Sequence, residues 1–179
     1  MTIRLVLAGC GNMGYAMLAG WLKSGKLVPQ AVFVVEPNAE LRKRAEHLGC
    51  GVAEDANGIP ADAEPDLVVI AVKPQVIRDV TTAYKRFADG RTTFVSIAAG
   101  TPVATFEHIL GHLAPIIRCM PNTPAAIGKG MMVVLFTALN AFLESFFFHR
   151  GDPVWLFFVL GVLGLRQVSL RPIAVRRHS

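Results

Sequence analysis

Charge and cysteine are both scarce in this chain. Only 17% of the 179 residues are Asp, Glu, Lys or Arg, against 53% that are hydrophobic. That balance is more apolar than one ordinary soluble core requires, and it points to a segment with a composition of its own. The net charge is +5, and residues 135–179 hold five Arg against two acids, which leaves +2 for residues 1–134. No Lys/Arg run with interleaved aromatics occurs in that main part, so the composition gives no footing for nucleic-acid binding.

The three cysteines, Cys10, Cys50 and Cys119, lie far apart without a C-x-x-C spacing. This excludes a disulfide framework or a cysteine zinc site and fits a reducing, cytoplasmic location. His108 and His112 stand four apart on an expected helix, formally a ligand spacing, but no flanking acid or third ligand accompanies them. No metal is expected. Long apolar runs are also missing. Val154–Leu165 is twelve residues between Pro153 and Arg166, short of the ~20 that a membrane-spanning helix needs. Leu7-Ala8-Gly9-Cys10 resembles a lipoprotein cleavage site, yet the apolar stretch before it is short and is interrupted by Arg4, so a strand accounts for it better. There are no internal repeats and no low-complexity linkers. The length suits one well-packed domain with a small appendage.

What is present is alternation. Short apolar runs predict strands at Ile3–Ala8, Ala31–Val35, Gly51–Ala53, Leu67–Val72, Thr93–Ala98 and Ile116–Met120. Helical patterns fall between them, at Met13–Ser24, Ala39–Leu48, weakly at Asp55–Ala61, and at Val76–Phe87 and Pro102–Leu110. Asn38 is placed to cap the second helix. Thr101-Pro102 offers a hydroxyl at the N-cap and proline at the first helical position. Leu67-Val68-Val69-Ile70-Ala71-Val72 is apolar on both faces, as a parallel sheet covered on both sides requires. The expected fold class is α/β, a Rossmann-type doubly wound parallel sheet followed by an atypical short apolar C-terminal tail.

Gly9-Cys10-Gly11-Asn12-Met13-Gly14 sits between the first strand and the first helix. In that context the three glycines serve a tight turn, close approach of phosphates to the backbone, and close helix–strand packing, with the helix N-terminus facing the negative charge. Glu36 ends the second strand, 22 residues after Gly14. An acid there accepts the adenosine ribose hydroxyls and favours NAD. Arg42, Lys43 and Arg44 follow closely and could accept a 2′-phosphate, or could simply form a solvated helix face. Cofactor preference stays open.

Three more segments fall at strand ends: Ala71-Val72-Lys73-Pro74-Gln75, Ser96-Ile97-Ala98-Ala99-Gly100, and Arg118-Cys119-Met120-Pro121-Asn122-Thr123-Pro124-Ala125. Ligands of open α/β sheets lie beyond the carboxyl ends of the strands, so all four segments would line one crevice. Small residues at 98–100 admit a flat nicotinamide. Pro121 and Pro124 stiffen a loop that presents Asn122 and Thr123.

These four segments, in this order, resemble the pyrroline-5-carboxylate reductase family over about residues 1–134. The family reduces 1-pyrroline-5-carboxylate to L-proline with NADPH or NADH, the last step of proline biosynthesis. The resemblance implies that Gly9, Gly11, Asn12, Met13 and Gly14 hold the pyrophosphate. It implies that Ala71, Val72, Lys73 and Pro74 border the ribose and nicotinamide half, and that Ala98 and Ala99 border the nicotinamide. Glu36, Asn38 and Asn57 would serve the adenosine side. Pro121, Asn122 and Thr123 would shape the nicotinamide and substrate edge. Lys73 is open to two roles, general acid or support of the loop. No catalytic residue is assigned, because the family's substrate-side residues belong to a later domain with an S-G-S-G-P-A-type motif. The implied partner is a small-molecule substrate, with neither nucleic acid nor membrane.

After Val134 the family pattern stops. Seven of the eleven Phe fall in residues 135–179, and no domain is assigned to that stretch. It is open to three readings: a membrane segment, a buried hairpin or helix on the sheet edge, or a continuation in a shifted frame or truncated gene, which the abrupt change favours. On the last reading the family's homo-oligomer interface is absent and the chain has little activity by itself. Two other functions remain to be weighed. One is a non-catalytic remnant that only binds dinucleotide; the other is a β-hydroxyacid dehydrogenase relative, which begins with a similar glycine turn.

Overall fold

The computed structural model describes residues 2–25 and 27–120, and the backbone of residues 121 and 132–136. Seven strands form one sheet: β1 (Leu5–Ala8), β2 (Val32–Val35), β3 (Gly51–Ala53), β4 (Leu67–Ile70), β5 (Thr93–Ser96), β6 (Ile116–Pro121) and β7 (Met132–Phe136). Four helices connect them: α1 (Asn12–Lys23), α2 (Ala39–His47), α3 (Ile77–Ala83) and α4 (Val103–Leu110). The strand order is β3-β2-β1-β4-β5-β6-β7. The first six strands pair in parallel, with Leu5 opposite both Val32 and Leu67. This is the doubly wound Rossmann-type arrangement, and its order reverses between β1 and β4.

The alternation of side chains along each strand explains why the runs are apolar throughout. Val6, Ala8, Val68, Ile70, Phe94 and Ile116 face one core, which they share with residues of α3 and α4. Leu5, Leu7, Val32, Val34 and Val69 face the other, with Leu18 of α1 and Ala45 of α2. A strand with two buried faces favours apolar residues throughout, as in β1, β2 and β4.

Several boundaries differ from the sequence expectation. β4 and β5 end two residues early. Ala71 and Ile97 each keep one ladder bond, to the carbonyls of Ala8 (2.7 Å) and Ile70 (3.2 Å), before the chain leaves the sheet. The helix expected over Val76–Phe87 is interrupted. A 3-10 turn at Pro74–Val76 leads into α3, and a second at Lys85–Phe87 follows Tyr84, which is buried in the core. The weak helix at Asp55–Ala61 is a single 3-10 turn, Ala56–Gly58, whose Asn57 N–H donates to the Asp55 carboxylate at 2.8 Å. Asn38 caps α2 as expected, its Oδ1 accepting from the N–H groups of Glu40 and Leu41. Thr101 does not cap α4; Pro102 occupies the N-cap position and Thr101 is buried. β7 was not anticipated. It pairs antiparallel to β6, with Pro121 opposite Met132, and so carries the sheet across the composition change at residue 134. Residues 137–179, on which the competing readings of the tail rest, lie outside the described residues.

Candidate functional site

The carboxyl ends of β1, β4 and β5 bring the glycine loop, residues 71–74 and residues 98–100 to one edge of the sheet. The loop and the end of β4 are packed tightly. A Cβ on Gly9 would lie 2.7 Å from the Ala71 carbonyl oxygen and 2.9 Å from Val72 Cγ1, and Gly9 has φ +93°. Only glycine meets both constraints. A Cβ on Gly14 would overlap the Gly9 carbonyl oxygen. Gly11 is different: a Cβ there would meet nothing within 4 Å, so its face opens on free space.

Gly11 is also the N-cap of α1. No side chain caps that helix, and its first turn holds no acid. The N–H groups at its start are therefore open to solvent or a ligand, and the helix dipole favours an anion there. α2 makes the contrast, with its own start closed by Asn38 and with Glu40 in the first turn. The open helix start, the space over Gly11 and the close approach at Gly9 and Gly14 fit a dinucleotide pyrophosphate. Asn12 is exposed and Met13 half-buried at the same place.

The remaining expected residues divide. Val72 packs against the core, while Lys73 and Pro74 are exposed. Lys73 precedes the 3-10 turn, and its carbonyl accepts the Val76 N–H at 3.2 Å. Among the described residues it has no ion pair. Ala99 is exposed, but Ala98 belongs to the core, its N–H donating to Ser96 Oγ at 3.3 Å. Ala98 therefore offers the crevice backbone rather than its methyl. Asn57 is exposed on the turn after β3, two strands from the glycine loop. Pro121 ends β6, and Asn122 and Thr123 lie outside the described residues.

Glu36 is buried, with 7% of its surface exposed. Its Oε2 accepts the Cys10 N–H at 2.7 Å and its Oε1 the Asn38 N–H at 3.0 Å. Arg42 Nη1 donates to the carbonyls of Glu36 (2.6 Å) and Pro37 (3.0 Å), and Nη2 lies 3.7 Å from Glu54. Arg42 is thus committed to the turn after β2. Lys43 pairs with Glu40 at 3.3 Å, and the Arg44 guanidinium lies 3.7 Å over the Tyr15 ring. Arg42 follows the N-cap by four residues, one helical turn, which is the only trace of its clamp in the sequence. Nothing in the sequence pattern shows the link from Glu36 to Cys10.

The three thiols are buried. Burial, with the Glu36 carboxylate adding to it, pushes Cys10 up to about 11. Burial raises Cys50 and Cys119 as well. His108 lies on α4, but His112 lies past its end at Leu110, so the two do not share a helix face. Among the described residues no group of His, Cys, Asp or Glu is placed to hold a metal ion, and no helix is long and apolar enough to cross a membrane. A cavity of about 380 Å³ lies at the amino ends of β4 and β5, the edge opposite the glycine loop, and is lined in part by Asp62, Glu64, Asp66, Asp89 and Arg91. Asp66 pairs with Arg4 at 2.7 Å, and Arg91 pairs with Asp89 at 2.6 Å and with Glu64 at 3.4 Å.

Residues 4–100 match the family model described as NADP oxidoreductase, coenzyme F420-dependent. The chain belongs to that family. Among curated proteins it is similar to several named pyrroline-5-carboxylate reductases. The enzyme of that name from Pseudomonas aeruginosa is 40% identical over 131 residues, which cover 72% of this chain and 46% of the relative. The structure of a pyrroline-5-carboxylate reductase from Coxiella burnetii superposes with a TM-score of 0.67 at 25% identity, covering 81% of this chain and 55% of the other. That of Plasmodium falciparum pyrroline carboxylate reductase, with NADP bound, gives 0.64 at 23% identity, covering 75% and 48%, and supports the fold. The chain spans about half the length of the curated relatives it matches. For this NADP-oxidoreductase family member, the match spans every segment from the glycine loop to the end of β5.

Proposed function

We propose that this chain binds NADPH or NADH across the glycine loop and serves the reduction of 1-pyrroline-5-carboxylate to L-proline. The observation that carries the reading is the uncapped start of α1 behind a glycine loop packed on the end of β4. Kinship with enzymes named for the reaction adds the substrate.

Each residue has a stated part. Gly9 and Gly14 hold the loop against β4, while Gly11, Asn12 and Met13 present backbone N–H groups to the pyrophosphate. Ala71, Val72, Lys73 and Pro74 border the ribose and nicotinamide half, joined by Ala99 and the Ala98 backbone. Asn38 and Asn57 flank the adenosine side. Pro121, Asn122 and Thr123 belong to the substrate edge. When bound, the dihydronicotinamide supplies a hydride to the C=N carbon of the pyrroline, made electrophilic by a proton on its nitrogen. The work of the chain is then alignment, which can supply much of the rate. The buried free thiols support a reducing location, the cytoplasm.

Calorimetric titration with NADPH and NADH tests the cofactor half, and a steady-state assay with pyrroline-5-carboxylate tests the reaction. Micromolar binding with little turnover by this chain alone is the expected result. Complete absence of turnover favours a non-catalytic dinucleotide binder; binding of neither nucleotide overturns the reading.

A further inference from the structure

Glu36 stands where an acid at the end of the second strand ordinarily accepts the ribose hydroxyls of NAD. An acid that reads a ribose must present its carboxylate to the crevice, which burial limits and prior backbone bonds weaken. Glu36 is 7% exposed, and each of its carboxylate oxygens already accepts a backbone N–H, from Cys10 at 2.7 Å and from Asn38 at 3.0 Å. Cys10 is the second residue of the glycine loop, and the Gly9 N–H before it donates to the Val35 carbonyl at 2.8 Å. Two successive peptide groups of the loop are therefore tied to the end of β2. Arg42 holds the same turn from the helix side through the carbonyls of Glu36 and Pro37. A carboxylate acceptor makes such bonds about twice as strong as neutral ones.

We propose that Glu36 is a positioning residue that fixes the pyrophosphate loop through the Cys10 N–H, and that it does not choose between a ribose 2′-hydroxyl and a 2′-phosphate. This rests on the dinucleotide reading above. NADH and NADPH share the pyrophosphate, so both depend on the brace equally. Discrimination at the 2′ position falls to groups outside the carboxylate, and beside Arg42 the exposed Lys43 and the half-buried Arg44 are the other cations near that end of α2.

The test is titration of the wild type and of Glu36→Gln with NADH and with NADPH, well below the melting temperature of each protein. Gln keeps the size but offers one acceptor oxygen in place of two, so one backbone N–H loses its partner. The wild type is expected to bind NADPH no more weakly than NADH. Glu36→Gln is expected to weaken both by the same factor, about tenfold. Loss of NADH affinity alone, a gain for NADPH, or a tenfold wild-type preference for NADH would show a ribose-reading acid and overturn the proposal. Unchanged affinities with a lowered Tm would show a residue that supports only the fold, and would overturn it too. Failure of the wild type to bind either nucleotide marks failure of the dinucleotide reading instead, and the brace falls with it. If Glu36→Gln does not fold, amide hydrogen exchange on the wild type decides. The Cys10 N–H should exchange more slowly than those of Gly11 and Asn12 in cofactor-free protein, and equal rates overturn the proposal.

Discussion

The Ala71 carbonyl oxygen lies 2.7 Å from the point that a Cβ on Gly9 would occupy. The end of β4 and the glycine loop are thus one packed unit, and Gly9→Ala strains it twice. The positive φ costs about 1–3 kcal/mol, and the overlap adds a comparable amount. Gly11→Ala meets no protein atom and should leave stability within about 0.5 kcal/mol of wild type. It places a methyl in the approach to the pyrophosphate, so NAD(P)H affinity should fall by an order of magnitude or more. Urea melts and calorimetry on the two variants separate these effects: stability lost in the first, binding lost alone in the second.

Thr81 on α3 is fully buried, and its Oγ1 has no hydrogen-bond partner. Valine has the same shape without the hydroxyl. Thr81→Val should leave stability unchanged or raise it by about 1–2 kcal/mol, the cost of desolvating the orphaned oxygen. The denaturant midpoint measures it, and a loss of more than 1 kcal/mol would reveal a partner for the hydroxyl.

Cys10 holds its proton to about pH 11 when folded, against 9.0 ordinarily. Above pH 9 the unfolded chain gives up that proton and the folded chain keeps it. Stability is therefore unaffected below pH 9 and falls between pH 9 and 11, by about 1.4 kcal/mol per pH unit at most. The Tyr84 phenol, raised by burial and by Asp55, acts in the same direction at higher pH. Cys10→Ala should flatten the decline over pH 9–11 in a series of thermal melts; an unaltered slope would exclude Cys10 as its source.

Arg42 spans two carbonyls with one guanidinium nitrogen while reaching toward Glu54. Lysine lacks the fork and cannot keep all three. Arg42→Lys should cost about 1–2 kcal/mol in chemical denaturation, and it should weaken NADH and NADPH alike through the turn that carries Glu36. A drop confined to NADPH would instead make Arg42 a 2′-phosphate ligand.

The parallel sheet was legible because its strands are short, apolar on both faces and separated by helical patterns. Asn38 capped its helix as read, since an Asx cap acts within three residues. Longer-range contacts left no such trace. The helix expected through Val76–Phe87 was broken by Tyr84, which leaves helical geometry as its ring reaches the core. β7 was hidden because its pairing partner, not its own pattern, decides its state. In the site, the loop glycines followed from local geometry. The inward turn of Glu36 and of the Ala98 methyl depended on neighbours brought together only by folding.

α1 begins without a side chain to close it, where α2 closes its own start. A bound pyrophosphate would then be that helix's cap, and its affinity would be part of the protein's folding energy. At a concentration a hundred times Kd, such a ligand adds about 2.7 kcal/mol to the folded state. The opening turn of α1 would then be held more firmly with the nucleotide bound than without it.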